Sequence, residues 1–234
     1  MYYITTKLSP SYRQLSIEEL LFGNPKNTLI NSNLTNTRTY TYDKLPIDIV
    51  RKTDVYHLIF TLNEFNNRTA WLRDKSLYPN RHALYREFYI PKKSGGLRKI
   101  DAPEEELMTA LRALKTIFER DFNALYHTSA FAYIKNRCTI DAVKRHQSNN
   151  SKWFGKYDLS NFFGSTTLDY VMKMLSMIYP FSLVIEAKDV QNLRTGELMD
   201  GEYELRQALE LAFLDDGLPQ GTPISPLITN IIMI

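Results

Sequence analysis

The sequence predicts an α+β fold with a helix-rich N-terminus, one β-hairpin and further helices. Apolar residues recur at helical spacing between positions 50 and 65, and again in several later segments. Residues 86–91 instead alternate and are rich in aromatic and branched side chains, and a Lys-Lys-Ser-Gly-Gly turn separates them from a returning segment at 97–101, which is typical of a hairpin. With 234 residues, 44% of them hydrophobic and 24% charged, the chain can bury a core and is not of disordered composition.

The N-terminal part, residues 1–80, is predicted to be a helical extension. A short helix is expected at 16–22, an Asn- and Thr-rich loop at 24–41, and a longer helix at about 47–74. The longer helix carries an apolar stripe of Val50, Val55, Leu58, Ile59, Leu62 and Phe65. We expect these helices to pack on the rest of the chain, and the sequence assigns them no chemistry.

The hairpin is predicted to have strands at 86–91 and 97–101, with lysines at its tip. A helix should follow, with Asp101 as N-cap, Pro103 near its first position and glutamates in its first turn. Its stripe of Leu107, Leu111, Leu114 and Phe118 predicts that it continues to about residue 122.

Five elements are predicted beyond this helix. A strand at 153–159 would carry Asp158 near its C-terminal end, and Thr166 or Thr167 would cap a helix from 168 to about 179. An insertion at 184–216 shows turns at 195–196 and 200–201, and a helix with Leu205, Leu209, Ala212 and Phe213 on one face. A loop with three prolines at 217–226 leads into a helix that begins near Ser225.

The net charge of +3 is unevenly distributed. Residues 81–100 contain one acidic side chain, Glu87, against six basic ones: Arg81, Arg86, Lys92, Lys93, Arg98 and Lys99. Such a block suggests an anionic partner, although a solvated basic face explains the charge equally well. Residues 184–234 are strongly acidic.

Composition excludes several classes of protein. No apolar run approaches the roughly 18 residues of a membrane span, and no secretory signal is visible at the N-terminus. The single cysteine, Cys138, cannot form an internal disulfide, and none of the histidines has a partner at metal-ligand spacing. A cytoplasmic location is therefore expected.

Four segments, at 90–103, 129–142, 156–163 and 217–230, stand in an order that resembles the fingers and palm blocks of bacterial reverse transcriptases of the retron and group II intron type. The resemblance covers about residues 80–234 and implies a right-hand polymerase fold with fingers and a partial palm. It implies fingers with the basic hairpin at 81–150, palm at 151–183, a fingers-like insertion at 184–216 and the start of a second palm block at 217–234. The function it implies is RNA-directed DNA polymerisation.

The resemblance implies that Asp158 is a catalytic metal ligand, joined by the carbonyl of Leu159. Nucleotidyl transfer uses two divalent metals, and Mg²⁺ (or Mn²⁺) prefers one or two carboxylates together with phosphates and water. A single Asp after a strand could also simply cap the following helix.

The resemblance further implies a nucleotide site. Lys93 and Arg98 match a triphosphate clamp, and Phe163 matches a steric gate that would admit deoxyribose and exclude ribose. The alternatives are a solvated hairpin tip, core packing of one of the two adjacent rings, and a proline-rich surface turn. The implied nucleotide-binding set is Lys93, Arg98, Asn161, Phe162, Phe163 and Gln220.

A nucleic-acid surface is implied as well, with an RNA template, a DNA or RNA primer and deoxynucleoside triphosphates as partners. Basic residues interleaved with aromatic ones are typical of backbone and base-stacking contacts. A solvated face is an equally good explanation. The residues concerned are Lys92, Lys135, Arg137, Lys144, Arg145, Pro219 and Gly221.

The Tyr-x-Asp-Asp motif that supplies the family's other metal carboxylates does not occur in this sequence. Asp215 and Asp216 precede the Gly-Leu-Pro-Gln loop, and we interpret them as a solvated turn. Because the chain stops inside an apolar predicted helix, we expect it to be an N-terminal portion that is inactive alone. The alternative is a non-catalytic nucleic-acid-binding module. Retrons, group II introns, phage-defence polymerases and diversity-generating elements would all need these blocks, so the biological role stays open.

Overall fold

The computed structural model describes residues 47–233 except 94, 125, 149–151 and 154, with side chains from residue 54 onward. The chain divides into two compact units, Met1–Asp54 and Val55–Ile234, and apart from the start of the first helix the fold described below is that of the second. The helix predicted at 16–22 and the loop predicted at 24–41 lie outside the described residues.

Helix α1 spans Ile47–Arg68 and continues into a 3-10 turn at Ala70–Arg73. Leu58, Ile59, Leu62 and Phe65 are buried and Val55 is half-buried, which confirms the predicted apolar stripe from residue 55 onward. The side chain of Val50 lies outside the described residues. The α-helix ends six residues earlier than predicted. Thr69 leaves helical geometry, and the tighter turn that follows brings Leu72 into the core.

The predicted hairpin is present as strands β1, Tyr85–Pro91, and β2, Leu97–Pro103. The strands are antiparallel, with Tyr85 opposite Pro103 and Pro91 opposite Leu97. The turn at its tip is closed by the N–H of Lys92, which donates to the carbonyl of Gly96 over 3.0 Å. Gly95 and Gly96 both have positive φ, of +86° and +80°, as the Gly-Gly pair predicted.

The helix after the hairpin, α2, spans Glu105–Arg120. The prediction that Asp101 caps it was wrong, because pairing with β1 keeps the chain in strand β2 through Pro103. Glu104 occupies the N-cap position, without a side-chain hydrogen bond. The predicted stripe of leucines and Phe118 is fully buried.

The predicted strand at 153–159 is also wrong. The described residues of that segment have no regular secondary structure, and 155–159 are exposed. A strand needs a neighbour to satisfy its backbone groups. Among the described residues, strands pair only as β1 with β2 and, further along the chain, as 190–191 with 198–199.

The remaining helices are short. A helix that the sequence analysis did not predict, α3, spans Thr139–Ser148, and a single turn, α4, spans Phe162–Ser165. Helix α5, Leu168–Leu175, is capped by Thr167 as predicted. The Oγ1 of Thr167 accepts a hydrogen bond from the N–H of Tyr170 over 3.2 Å. The helix ends four residues before the predicted position and is followed by α6, Phe181–Glu186.

The segment 184–216, which the sequence analysis predicted to be an insertion, contains a small hairpin, β3 at Val190–Gln191 and β4 at Leu198–Met199, with Gly196 in its turn. Helix α7 follows at Gly201–Glu210, and Asp200, predicted as part of a turn, is its N-cap and accepts from the N–H of Tyr203. The last helix, α8, spans Ser225–Ile232 and begins where predicted.

One hydrophobic core joins α1, α2, α5, α6, α7 and α8. Its centre includes a cluster of Phe118, Phe122 and Phe181, with ring centroids 4.5 to 5.4 Å apart. Of the helices in the described part of the chain, none is long and apolar enough to cross a membrane.

Candidate functional site

The basic hairpin and the Gly-Leu-Pro-Gln-Gly loop are joined backbone to backbone. The N–H of Asp101 in β2 donates to the carbonyl of Gln220 over 2.8 Å. Gly221 has a φ of +123°, and a Cβ there would lie 2.9 Å from both the carbonyl oxygen of Asp101 and Cγ2 of Ile100. Glycine is therefore required at this position for two reasons: its positive φ and the close approach of the two segments.

The same loop is joined on its other side to the segment after Asp158. The N–H of Leu218 donates to the carbonyl of Phe163 over 2.9 Å. A Cβ on Gly217 would lie 2.5 Å from the carbonyl oxygen of Gly164, so these two glycines meet at backbone contact distance. Gln220 and Phe163, which the sequence analysis placed in one nucleotide site, thus belong to segments in direct contact.

The fourth predicted block is tied to the second. The side-chain amide of Asn230 in α8 donates to the carbonyl of Ala132 over 2.9 Å. The loop that leads into α8 is held by a buried hydroxyl pair, Thr222 and Ser225, with 2.6 Å between the oxygens, and Ser225 also donates to the carbonyl of Pro219. All four blocks therefore converge within one compact unit.

The basic side chains of the hairpin divide between its two faces. Lys92, Lys93 and Arg98 are exposed. Lys99 forms ion pairs with Glu87, at 2.8 Å, and with Asp101, at 3.1 Å. These contacts raise the pKa of Lys99 and lower that of Glu87, so both groups stay charged at neutral pH.

Asp158 is exposed in the irregular segment before α4, and Leu159 beside it is exposed as well. Within the described residues, no three His, Cys, Asp or Glu side chains come together as a metal site. What this segment offers is one carboxylate and one neighbouring carbonyl, both of which are oxygen donors suited to Mg²⁺.

The residues after Asp158 form a tight bend. Asn161 is exposed and left-handed, with a φ of 48°, and its carbonyl accepts from the N–H of Ser165 over 2.9 Å. Phe162 and Phe163 are both half-buried, with ring centroids 5.9 Å apart, and Phe163 packs against the core. Both rings are therefore partly accessible, and Phe163, the predicted steric gate, also contacts the core.

In the segment 127–148, two predicted nucleic-acid contacts have structural partners. Arg137 donates to the carbonyls of His127 and Ala130, and Arg145 donates to the carbonyl of Thr128. Their guanidinium groups hold the 127–130 loop against α3. Lys135 and Lys144 are exposed.

Asp215 and Asp216 form the tight turn expected of them. Both are exposed and left-handed, and Leu214 and Gly217 close the turn through reciprocal backbone hydrogen bonds. Asp215 also contacts His82, with 2.9 Å between Oδ1 and Nε2, which links this turn to the residues just before β1.

Sequence reasoning missed the role of Asp101 as the joint between hairpin and loop. Its assignment as a helix cap hid it, and only the strand register reveals that it lies opposite Glu87. The exposed aromatic side chains of Trp153 and Tyr157 were also left without a role. Their nearness to basic residues in sequence was the available signal.

The family of the chain follows from these segments together. Residues 90–234, more than half of the chain, match the family described as "Reverse transcriptase (RNA-dependent DNA polymerase)". The match contains all four blocks. This chain belongs to the reverse transcriptase family.

Several curated proteins are similar to the same part of the chain. The retron Ec73 reverse transcriptase of Escherichia coli is 28% identical over 146 residues, which are 61% of this chain and 41% of that protein. The retron Mx162 reverse transcriptase of Myxococcus xanthus is 30% identical over 148 residues, or 62% of this chain and 29% of that protein. A putative COX1/OXI3 intron 1 protein of Saccharomyces cerevisiae is 27% identical over 146 residues, which are 62% of this chain and 16% of that protein. The chain thus spans less than half the length of these relatives.

Proposed function

We propose that this chain supplies the nucleotide-binding and primer–template-binding part of an RNA-directed DNA polymerase, which adds deoxynucleotides to a primer 3′ end on an RNA template. The observation that carries the proposal is the double joint of the 217–221 loop. The loop bonds to the basic hairpin through Gln220 and to the bend after Asp158 through Leu218. A phosphate-binding arm and a metal carboxylate must lie near one another for nucleotidyl transfer.

In this proposal the metal is held by Asp158 and the carbonyl of Leu159, together with the phosphates of the nucleotide. Mg²⁺ or Mn²⁺, when bound, would stabilise the attacking 3′-hydroxyl and the leaving pyrophosphate. The exposure of Asp158 leaves its carboxylate accessible to a nucleotide-bound ion.

The triphosphate is bound by Arg98 and Lys93 on the hairpin. A guanidinium can donate two parallel hydrogen bonds to phosphate, and an ammonium adds a compact positive charge. Both side chains are exposed, and the two glycines at the tip give the turn its shape.

The sugar and base contact Phe163 and Gln220, with Asn161 and Phe162 beside them. The half-buried ring of Phe163 is backed by the core on one side, so it is held firmly enough to act as a steric gate against a ribose 2′-hydroxyl. Pro219 and Gly221 shape the loop, and Lys92, Lys135 and Lys144 contact the nucleic-acid backbone. Arg137 and Arg145 also contact the backbone, through the guanidinium N–H groups that are not used in their bonds to the 127–130 loop.

The test of the nucleotide site is the affinity for a deoxynucleoside triphosphate with Mg²⁺, measured by calorimetry. Arg98→Ala should weaken binding about tenfold or more, because a charge-assisted phosphate contact is lost. The matched control is Arg112→Ala, which removes the same charge from an exposed position on α2. Equal effects of the two substitutions would show that the hairpin gives only a diffuse positive field, and the proposed clamp would be wrong.

Primer extension tests the reaction. We expect purified residues 1–234 to bind an RNA template with an annealed primer but not to extend it, since the sequence holds one of the metal carboxylates that the family uses. Extension by this chain would contradict that expectation. In a longer protein that contains these residues and extends primers, Asp158→Asn should abolish extension while leaving binding intact. If every longer protein that contains these residues binds the primer–template but fails to extend it, a non-catalytic nucleic-acid-binding module is favoured instead.

A further inference from the structure

Asp101 makes two contacts that point to different parts of the molecule. Its carboxylate is paired with Lys99 inside the hairpin, with 3.1 Å between Oδ1 and Nζ. Its backbone N–H donates to the carbonyl of Gln220 in the neighbouring loop over 2.8 Å. Asp101 itself is only 9% exposed, whereas the ammonium of Lys99 that it contacts is partly open to water.

Lys99 is held in turn by a second carboxylate. Glu87 lies opposite Asp101 in the strand register, and its Oε2 is 2.8 Å from the ammonium of Lys99. The hydroxyl of Tyr89 donates to the other oxygen of Glu87 over 2.5 Å. Because strand side chains alternate, these four residues share one face of the hairpin, and Arg98 and Ile100 lie on the other.

We infer that Asp101 is a positioning residue, held in place by Lys99 and Glu87, that sets where the Gln220 loop lies against the hairpin face carrying Arg98. The inference rests on the proposed function, since Arg98 and Gln220 need a common geometry only if they bind the same nucleotide. Lys99 then belongs to the internal support of the hairpin and is not a phosphate ligand, although the sequence groups it with the other basic residues.

A purely electrostatic role and a positioning role for this hairpin face predict opposite effects on nucleotide affinity. If the hairpin bound nucleotides only through its net charge, removing a negative charge at position 101 or 87 would strengthen anion binding. If Asp101 acts by position, removing its carboxylate releases the β2 backbone at Gln220 and weakens nucleotide binding. The sign of the effect therefore separates the two roles.

The experiment compares Asp101→Asn and Glu87→Gln with the parent chain. Deoxythymidine triphosphate with Mg²⁺ is titrated by calorimetry, and amide hydrogen exchange at residue 101 is followed by NMR. We expect Asp101→Asn to weaken binding about fivefold to tenfold and to speed exchange of that amide by a similar factor. Glu87→Gln, which is partly exposed, should produce a smaller change in the same direction.

The control is Asp169→Asn, which removes an equally ion-paired carboxylate from an exposed position on α5, where it contacts Arg206. It should leave both readouts unchanged. Tighter or equal nucleotide binding by Asp101→Asn and Glu87→Gln, with unchanged exchange at residue 101, would overturn the inference. Should Asp101→Asn fail to fold, the sign of the Glu87→Gln effect decides the question. Failure of the parent chain to bind the nucleotide would instead contradict the proposed function. Hydrogen exchange at residue 101 would still test whether the Asp101 carboxylate supports the backbone bond to Gln220.

Discussion

At the scale of single residues, glycine positions show how closely the candidate site is assembled. Gly217 and Gly164 meet backbone to backbone, and neither segment can withdraw without losing the hydrogen bond between Leu218 and Phe163. The resemblance implied that Gly221 of this loop belongs to a nucleic-acid surface. The sequence did not indicate that the nearest neighbours of Gly217 and Gly221 would be other segments of the same chain.

Gly217→Ala should destabilise the folded chain by about 1–3 kcal/mol, because the new Cβ would lie 2.5 Å from a backbone oxygen that cannot rotate away. Urea denaturation followed by circular dichroism measures the loss. The control is Gly155→Ala, where the three atoms nearest to the new Cβ all belong to Tyr157, an exposed side chain that is free to move. Equal stabilities of the two variants would mean that the contact at Gly164 relaxes without cost.

The residues predicted for the nucleotide site differ in how far a sequence could define them. Gln220 and Phe163 lie in short sequence motifs, so they could be assigned from the residues next to them in the chain. The pairing of Lys99 depends on cross-strand register, which places Glu87 and Asp101 beside it and which composition alone does not reveal. Counting charge therefore overstated the number of basic groups that the hairpin can offer to phosphate.

Phe163→Val should raise ribonucleotide incorporation relative to deoxynucleotide incorporation about tenfold or more, because a smaller side chain leaves room for the 2′-hydroxyl. The assay is competitive primer extension by a longer protein that contains this chain and extends primers. Phe162→Val is the matched control, since its ring lies 5.9 Å from that of Phe163 and is also half-buried. An equal change from both variants, or none from Phe163→Val, would reject the gate assignment.

At the scale of elements, prediction succeeded where an element carries its own signal. Helices α1 and α2 have apolar stripes that the core buries, and the hairpin has its alternation and its Gly-Gly turn. The strand expected at 153–159 failed because a strand depends on a neighbour that local sequence does not specify. Helix α3 was missed for a related reason: it has no buried residue, so no stripe against the core marked it.

Since α3 gains nothing from core burial, its N-terminus should control its stability. The carboxylate of Asp141, in the first turn, accepts from the N–H of Cys138 over 2.8 Å, which is half of a capping box. Asp141→Ala should fray residues 139–148 without unfolding the core, seen as rapid amide exchange confined to this helix. Asp141→Asn keeps a side-chain acceptor and should preserve most of the protection. Loss of global stability in Asp141→Ala would contradict this prediction.

The same cap makes α3 sensitive to acid. Hydrogen bonding to Cys138 lowers the pKa of Asp141 below its ordinary value of 3.8, so the contact stabilises the folded helix at neutral pH. This stabilisation is present above the ordinary pKa and is lost as the pH falls through the lowered one. Amide exchange in 139–148 should therefore accelerate, relative to the core, as the pH drops below about 4. In Asp141→Asn this pH dependence should disappear.

At the scale of the whole molecule, segments far apart in sequence meet around one short loop. The hairpin, the bend after Asp158 and helix α8 each contact residues 217–222 or continue directly from them. The order of the four blocks resembles that of reverse transcriptases, and this resemblance predicted that the blocks associate. Which atoms join the hairpin and the bend to this loop could not be predicted, because those two joints are backbone hydrogen bonds and glycine contacts that carry no side-chain signature.

Gly221→Ala tests whether the joint between hairpin and loop matters for the whole fold and for its site. The variant combines two penalties, a side chain at a φ of +123° and a Cβ 2.9 Å from the carbonyl of Asp101. Gly96→Ala, at the hairpin tip, has a φ of +80° and nothing within 4 Å of the new Cβ, so it isolates the backbone penalty. Urea denaturation should show a loss of about 2 kcal/mol or more for Gly221→Ala and about 1 kcal/mol or less for Gly96→Ala. Nucleotide affinity should fall further in Gly221→Ala, because its hairpin is displaced from Gln220. If the two variants match in both measurements, the hairpin and the loop are not mechanically joined at this point, and the site must be organised by the core beneath them.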